Sequence, residues 1–301
     1  MIEVKNQKTA ILIVLLAGVF WSFGPYVVRN IDGANTVPWQ YLFVRGIVIF
    51  ILLNVFLYLE EGIKFYKNYL KIGLSGVIGG FGLALAMISF IWSITSTSAA
   101  ITLLCLAAMP FITALLGFLF LNEKISLSVW ISIIIASIGI IIMALGDIST
   151  GSIFGLIFGI ISAVGFAIFS VSLRWRKETP KFTTVAIAGL ICAIVSIVVI
   201  SSQDLNFLSS GKNQALFATH GTLVCIGLIL YSIGSRSIQA AELTLLSLTE
   251  VVGGIFWVWI PWFGINEIPS NNTIIGGFLI FSSIFYYSLI MQNNKRFIAL
   301  N

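Results

Sequence analysis

The chain reads as an all-α integral membrane protein: ten transmembrane helices arranged as two inverted five-helix repeats around a central cavity. Three observations predict this. The 301 residues are 59% hydrophobic and 9% charged, with a mean hydropathy of +1.08. That leaves too little charge to solvate the surface of a soluble domain of this size. Apolar runs of about 20 residues, the length that crosses roughly 30 Å of hydrocarbon, recur along the whole chain. Finally, the second half echoes the first.

The expected spans are 9–29, 37–59, 71–93, 98–121, 126–146, 152–174, 182–201, 215–235, 240–263 and 272–292. Polar turn signals separate them, among them Asp32-Gly33, Glu60-Glu61-Gly62, Asn122-Glu123-Lys124, Gly146-Asp147, Thr179-Pro180 and the stretch 201–213. The first run is too long for a signal-peptide core and has no small-residue cleavage site after it, so it reads as a retained span. No stretch remains for a soluble domain.

Lys and Arg set the orientation. Thirteen fall on one side: Lys5, Lys8, Lys64, Lys67, Lys71, Lys124, Arg174, Arg176, Lys177, Lys181, Arg236, Lys295 and Arg296. Arg29 and Lys212 fall on the other, and Arg45 lies within a span. This alternation predicts a multi-pass protein of the cell (inner) membrane with both termini cytoplasmic. The formal charge of +5 comes from loops, and no basic run with interleaved aromatics suggests nucleic acid. Cys105, Cys192 and Cys225 lie in apolar runs and read as small buried hydrophobes rather than as ligands or redox centres. No metal or cofactor is expected.

AAITLLCLAAMP (99–110) matches AAELTLLSLTEVV (240–252), LNEKIS (121–126) is echoed by INEIPS (265–270), and VFWSFGPYVVR (19–29) shares a pattern with VGFAIFSVSLR (164–174). The offsets, 141 to 145 residues, are about half the chain. The expected repeats are therefore 1–148 and 149–301. Five spans per half is odd, so the second copy enters from the opposite side. Inverted repeats of this kind mark secondary transporters, with the site near midplane at the repeat interface.

The chain resembles the drug/metabolite transporter superfamily, in particular its ten-span EamA-type members. The resemblance rests on the two five-span halves and on TSTSAAITLLCLAAMPFITALLGFLFLNEKIS (95–126), with small residues, the mid-span Pro110 and the terminal Glu123. The ninth span resembles the same block, with Glu250 where members often carry an acid followed by proline. Here Val251 replaces that proline. Arg45, in VRGIVIF, resembles the family's second-span arginine. The resemblance implies a compact bundle, a cavity lined by spans 1, 3, 4, 6, 8 and 9, and transport without ATP.

Glu250 lies about nine residues into its span, roughly 14 Å deep. A charge at that depth costs about 2.5–3.5 kcal/mol and calls for a cavity or a partner. Glu250 therefore reads first as a proton carrier or an anchor for a substrate ammonium, and second as a structural acid paired with Arg45. Arg45 itself reads first as structural, snorkelling outward or pairing, and second as a clamp for a substrate carboxylate. His220, the one histidine, reads as a hydrogen-bonding wedge before a pH sensor. Ser247, Gly254 and Trp257 share the face of Glu250 at helical spacing. Trp21 and Phe166 occupy matching positions in spans 1 and 6, Phe169 and Ser170 follow on the next turn, and Trp92 ends span 3. The glycines of GLSGVIGGFGLALA (73–86) read as close helix packing, with a hinge as the second reading. Pro110, nearest midplane, is the expected kink.

The expected function is secondary transport of a small organic metabolite (an amino acid, amine or quaternary ammonium compound), coupled to protons through Glu250. The alternative is a facilitator or exporter of a neutral or anionic metabolite. A membrane enzyme ranks lower, since no H-E-x-x-H, G-x-S-x-G or P-loop is present. A monomer or homodimer in the bilayer, without nucleic acid, completes the expectation.

Overall fold

The computed structural model describes residues 6–147, 153–176 and 178–298, and among them every regular element is a helix. The expected repeat boundary at 148/149 and Lys177 lie outside the described residues. Twelve helices carry the fold: α1 Gln7–Arg29, α2 Pro38–Glu61, α3 Gly73–Ser96, α4 Ala99–Leu106, α5 Met109–Leu121, α6 Leu127–Asp147, α7 Ile153–Trp175, α8 Lys181–Ser202, α9 Gly211–Gly234, α10 Ala240–Ser247, α11 Thr249–Trp259 and α12 Asn271–Ile298. Local signals set several starts. The Asn6 side chain accepts from Lys8 N, Ser98 from Ile101 N and Ser210 from Asn213 N, while Pro38 opens α2.

Taking α4 with α5 and α10 with α11 as single spans, eight helical stretches are long and apolar enough to cross a membrane, at mean hydropathies of 1.4 to 2.7. Shorter apolar stretches, Leu127–Gly139 and Ile274–Tyr287, occupy the fifth and tenth positions. The chain is a multi-pass membrane protein. Its outward apolar side chains, such as Leu12, Phe81, Phe118 and Phe278, are exposed because lipid is their solvent.

Two expected spans are each broken into two helices. In the fourth, α4 stops at Leu106 and α5 starts at Met109, with Pro110 in its first turn. A proline there lacks the N–H that a continuous helix would use. The ninth breaks at Leu248, where no proline stands. There hydroxyls take the carbonyls instead: Ser247 donates to Thr244 O at 2.8 Å and Thr249 to Leu246 O at 3.0 Å. Such back-bonding competes with the helix ladder and bends it.

The packing is paired. α3 lies against α7 and α8, and α9 against α1 and α2. α7 receives α4 and α5, and α1 receives α10 and α11. α2 crosses α8, and α6 runs along α12. Several crossings are glycine on glycine. A Cβ added at Gly46 would lie 2.6 Å from Gly189 O, and one at Gly189 would lie 2.8 Å from Gly46 O. Gly82 and Gly165 approach in the same way between α3 and α7. Around them, Gly76, Gly79 and Gly80 face Thr184, Ser172 and Ile187. The glycines of 73–86 thus serve close packing. Gly46→Leu is expected to cost about 1–3 kcal/mol by overpacking this crossing, read as a lower Tm in detergent. An unchanged Tm would mean that α2 and α8 do not meet there.

Candidate functional site

The two helix breaks face one cavity. α5 and α11 begin there, and their first-turn residues Met109 and Glu250 both line it. The cavity has an empty volume of about 510 Å³ and is walled by α1, α2, α3, α4, α5, α7, α9 and α11. Its polar groups are few: Arg45, Glu250, His220, Ser162 and the indole of Trp21. The remainder is apolar, including Leu83, Met87, Phe90 and Phe166.

Arg45 is 4% exposed. Its Nε and Nη1 are buried without a hydrogen-bond partner. Its guanidinium lies over the Phe90 ring, 5.9 Å from the centroid, a cation–π contact that offsets part of the desolvation. It does not snorkel outward, the first structural reading that the sequence suggests. Buried guanidinium N–H groups without acceptors are costly.

Glu250 sits in the first turn of α11. The unsatisfied N–H groups of a helix N-terminus favour a carboxylate there. His220 Nδ1 hydrogen-bonds the Tyr41 hydroxyl, and its other edge faces Gly24, where a Cβ would lie 2.9 Å from Nε2. Tyr41 in turn stacks on Phe217 at 4.8 Å. His220 is thus both hydrogen-bonded and cavity-lining.

Trp21 anchors the aromatic wall. Its Nε1 donates to Val224 O at 3.3 Å, and its ring meets Phe166 and Tyr231, each at 5.5 Å. Phe169 and Ser170 stand behind this wall rather than on it. Phe169 stacks with Tyr231, and the Ser170 hydroxyl pairs with that of Tyr231 at 2.7 Å.

Three further expected residues lie away from the cavity lining. Ser247 is fully buried, on the far side of the break from Glu250. Trp257 donates from Nε1 to Ser22 Oγ at 2.9 Å and stacks on Phe23 at 4.5 Å. Trp92 packs among Trp39, Phe154 and Phe158. Sequence reasoning missed Tyr41 and Tyr231, which hold His220 and the Trp21 wall. It also missed the apolar lining (Leu83, Ala86, Met87), which carries no signal distinguishing it from lipid-facing residues. The three cysteines are free and buried, and among the described residues no group of His, Cys, Asp or Glu could hold a metal.

The chain is similar to a pseudopaline exporter of Pseudomonas aeruginosa (strain UCBPP-PA14), with 24% identity over 280 residues covering 91% of this chain and 93% of that one. It is 28% identical over 144 residues, 47% of each chain, to an uncharacterized transporter of Helicobacter pylori (strain J99). One solved structure superposes with a TM-score of 0.76 at 17% identity, covering 96% of this chain and 99% of that one, which shows a shared fold. The family model described as the EamA-like transporter family matches residues 8–145. The first half of this multi-pass membrane protein is therefore an EamA-like transporter domain, of the drug/metabolite transporter superfamily.

Proposed function

We propose that the chain is a secondary carrier for a small zwitterionic metabolite, one bearing a carboxylate and an ammonium as amino acids do. The observation that carries this is Arg45, buried with two unpartnered N–H-bearing nitrogens in the same cavity as Glu250. The guanidinium suits a carboxylate, to which it can donate two parallel hydrogen bonds. Glu250 suits the ammonium, and the faces of Trp21 and Phe166 suit an apolar side chain. The relative matched over nearly its whole length is named an exporter, which supports outward movement.

In this reading the halves 1–148 and 149–301 are inverted repeats that rock about the cavity. The reciprocal packing of the helices and the two breaks, 141 residues apart at Met109 and Glu250, support it. The Lys and Arg asymmetry supports cytoplasmic termini in an inner membrane. Glu250 would also carry the coupling proton.

Thermal shift with three probes of one skeleton tests the substrate class: phenylalanine, phenethylamine and 3-phenylpropionate. A bound ligand stabilises by mass action. The zwitterion is expected to raise Tm most. An equal or larger shift with the amine alone or the acid alone would overturn the zwitterion.

A further inference from the structure

Among the described residues three ion pairs lie outside the cavity; one, Lys212–Asp32, is well exposed, and the other two stand one near each end of the bundle. At the end where α1 finishes, Arg29 Nε donates to Glu267 Oε1. The same guanidinium donates to Ile94 O and Thr97 O, both at 3.1 Å, at the end of α3. At the end where α7 finishes, Arg174 Nε donates to Glu123 Oε1 at 2.6 Å. That guanidinium also donates to Ser235 O at 2.8 Å and to Ile238 O, just past α9.

The two knots match group for group. Each arginine stands in the last turn of the first span of its half and holds carbonyls at or just past the end of the third. Each acid follows an asparagine in left-handed conformation, Asn122 at φ 53° and Asn266 at φ 55°. Each acid's own N–H turns back to a helix carbonyl: Glu123 to Gly117 O at 3.2 Å, Glu267 to Val258 O at 2.9 Å. Corresponding groups are offset by 141 to 145 residues. Each pair joins an arginine from one half of the chain to an acid from the other.

We propose that Arg29–Glu267 and Arg174–Glu123 are two ion-pair latches, one for each end of the bundle, and that opening the cavity to one side releases one of them. The halves cannot part at either end while that end's pair is made. The side chains are 12% to 35% exposed, so water can replace each bond as it breaks. Both are closed in this structure. The proposal rests on the alternating-access reading, but its test reads the side of access rather than the substrate. A wrong substrate class leaves it standing.

The test uses the full chain with Cys105, Cys192 and Cys225 replaced and one cavity cysteine introduced by Val224→Cys. A membrane-impermeant maleimide is applied to right-side-out and to inside-out vesicles. Glu267→Gln is expected to speed labelling several-fold from the side where α1 ends, and Glu123→Gln from the opposite side. Labelling that matches the parent in both variants, or that rises on the same side in both, would overturn the latches. If either amide variant fails to fold, Glu→Asp at the same position keeps the charge but shortens its reach, and the same opposite-sided result is required.

Discussion

Glu250→Gln is expected to lower transport by about 10- to 100-fold, the loss of one charge-assisted contact to the substrate. The amide keeps the size and the hydrogen-bonding capacity of the side chain, so the fold should survive with Tm little changed. The substitution also removes the titration. Transport by the parent is expected to vary across about pH 5–8, and by Glu250→Gln to be flat. Unchanged, pH-dependent transport in the variant would remove Glu250 from both roles. A large drop in Tm instead would make it a structural acid.

Arg45→Met is expected to separate function from stability in the opposite sense. Arg45 is buried with two unpartnered nitrogens, and methionine fills a similar volume without a charge to desolvate. The variant should be as stable as the parent or more stable, by about 1–4 kcal/mol. It should no longer respond to a carboxylate-bearing probe. Functional sites commonly hold groups that cost stability, and removing such a group shows it. If Arg45→Met is markedly destabilised, the guanidinium serves the fold and the cavity has no built carboxylate site.

The sequence carries much of this architecture openly. The ten spans follow from run length and turn residues, and the breaks of the fourth and ninth fall within the repeated block 99–110 and 240–252. At an offset of 141 residues that match sets Glu250 against Met109, and both line the cavity. The ninth-span break was hidden because it depends on Ser247 and Thr249 hydroxyls instead of a proline. Helical spacing from Glu250 assumes an unbroken helix, and the break between them turns Ser247 away from that face. Trp257 is on the unbroken side, yet Ser22 and Phe23 claim it.

Arg45 was hard to read because spacing along one helix cannot tell a cavity from a seam between helices. In the structure Arg45 lines the cavity, with Nε and Nη1 buried and unpartnered. The echo of LNEKIS in INEIPS was visible, but its partners were not. Arg29 and Arg174 reach Glu267 and Glu123 across 238 and 51 residues of chain. Only the packing of α1 and α7 against the opposite half brings those groups together.

Carrier function through the Arg45–Glu250 cavity is tested most directly by counterflow. Purified chain in liposomes preloaded with an unlabelled zwitterionic amino acid is exposed to a trace of the labelled compound, without ATP. Transient accumulation that saturates with concentration, and that disappears in Glu250→Gln and Arg45→Met, is the expected result. Flux that rises linearly without saturation, or no counterflow with any zwitterion in liposomes whose protein is folded, would contradict it.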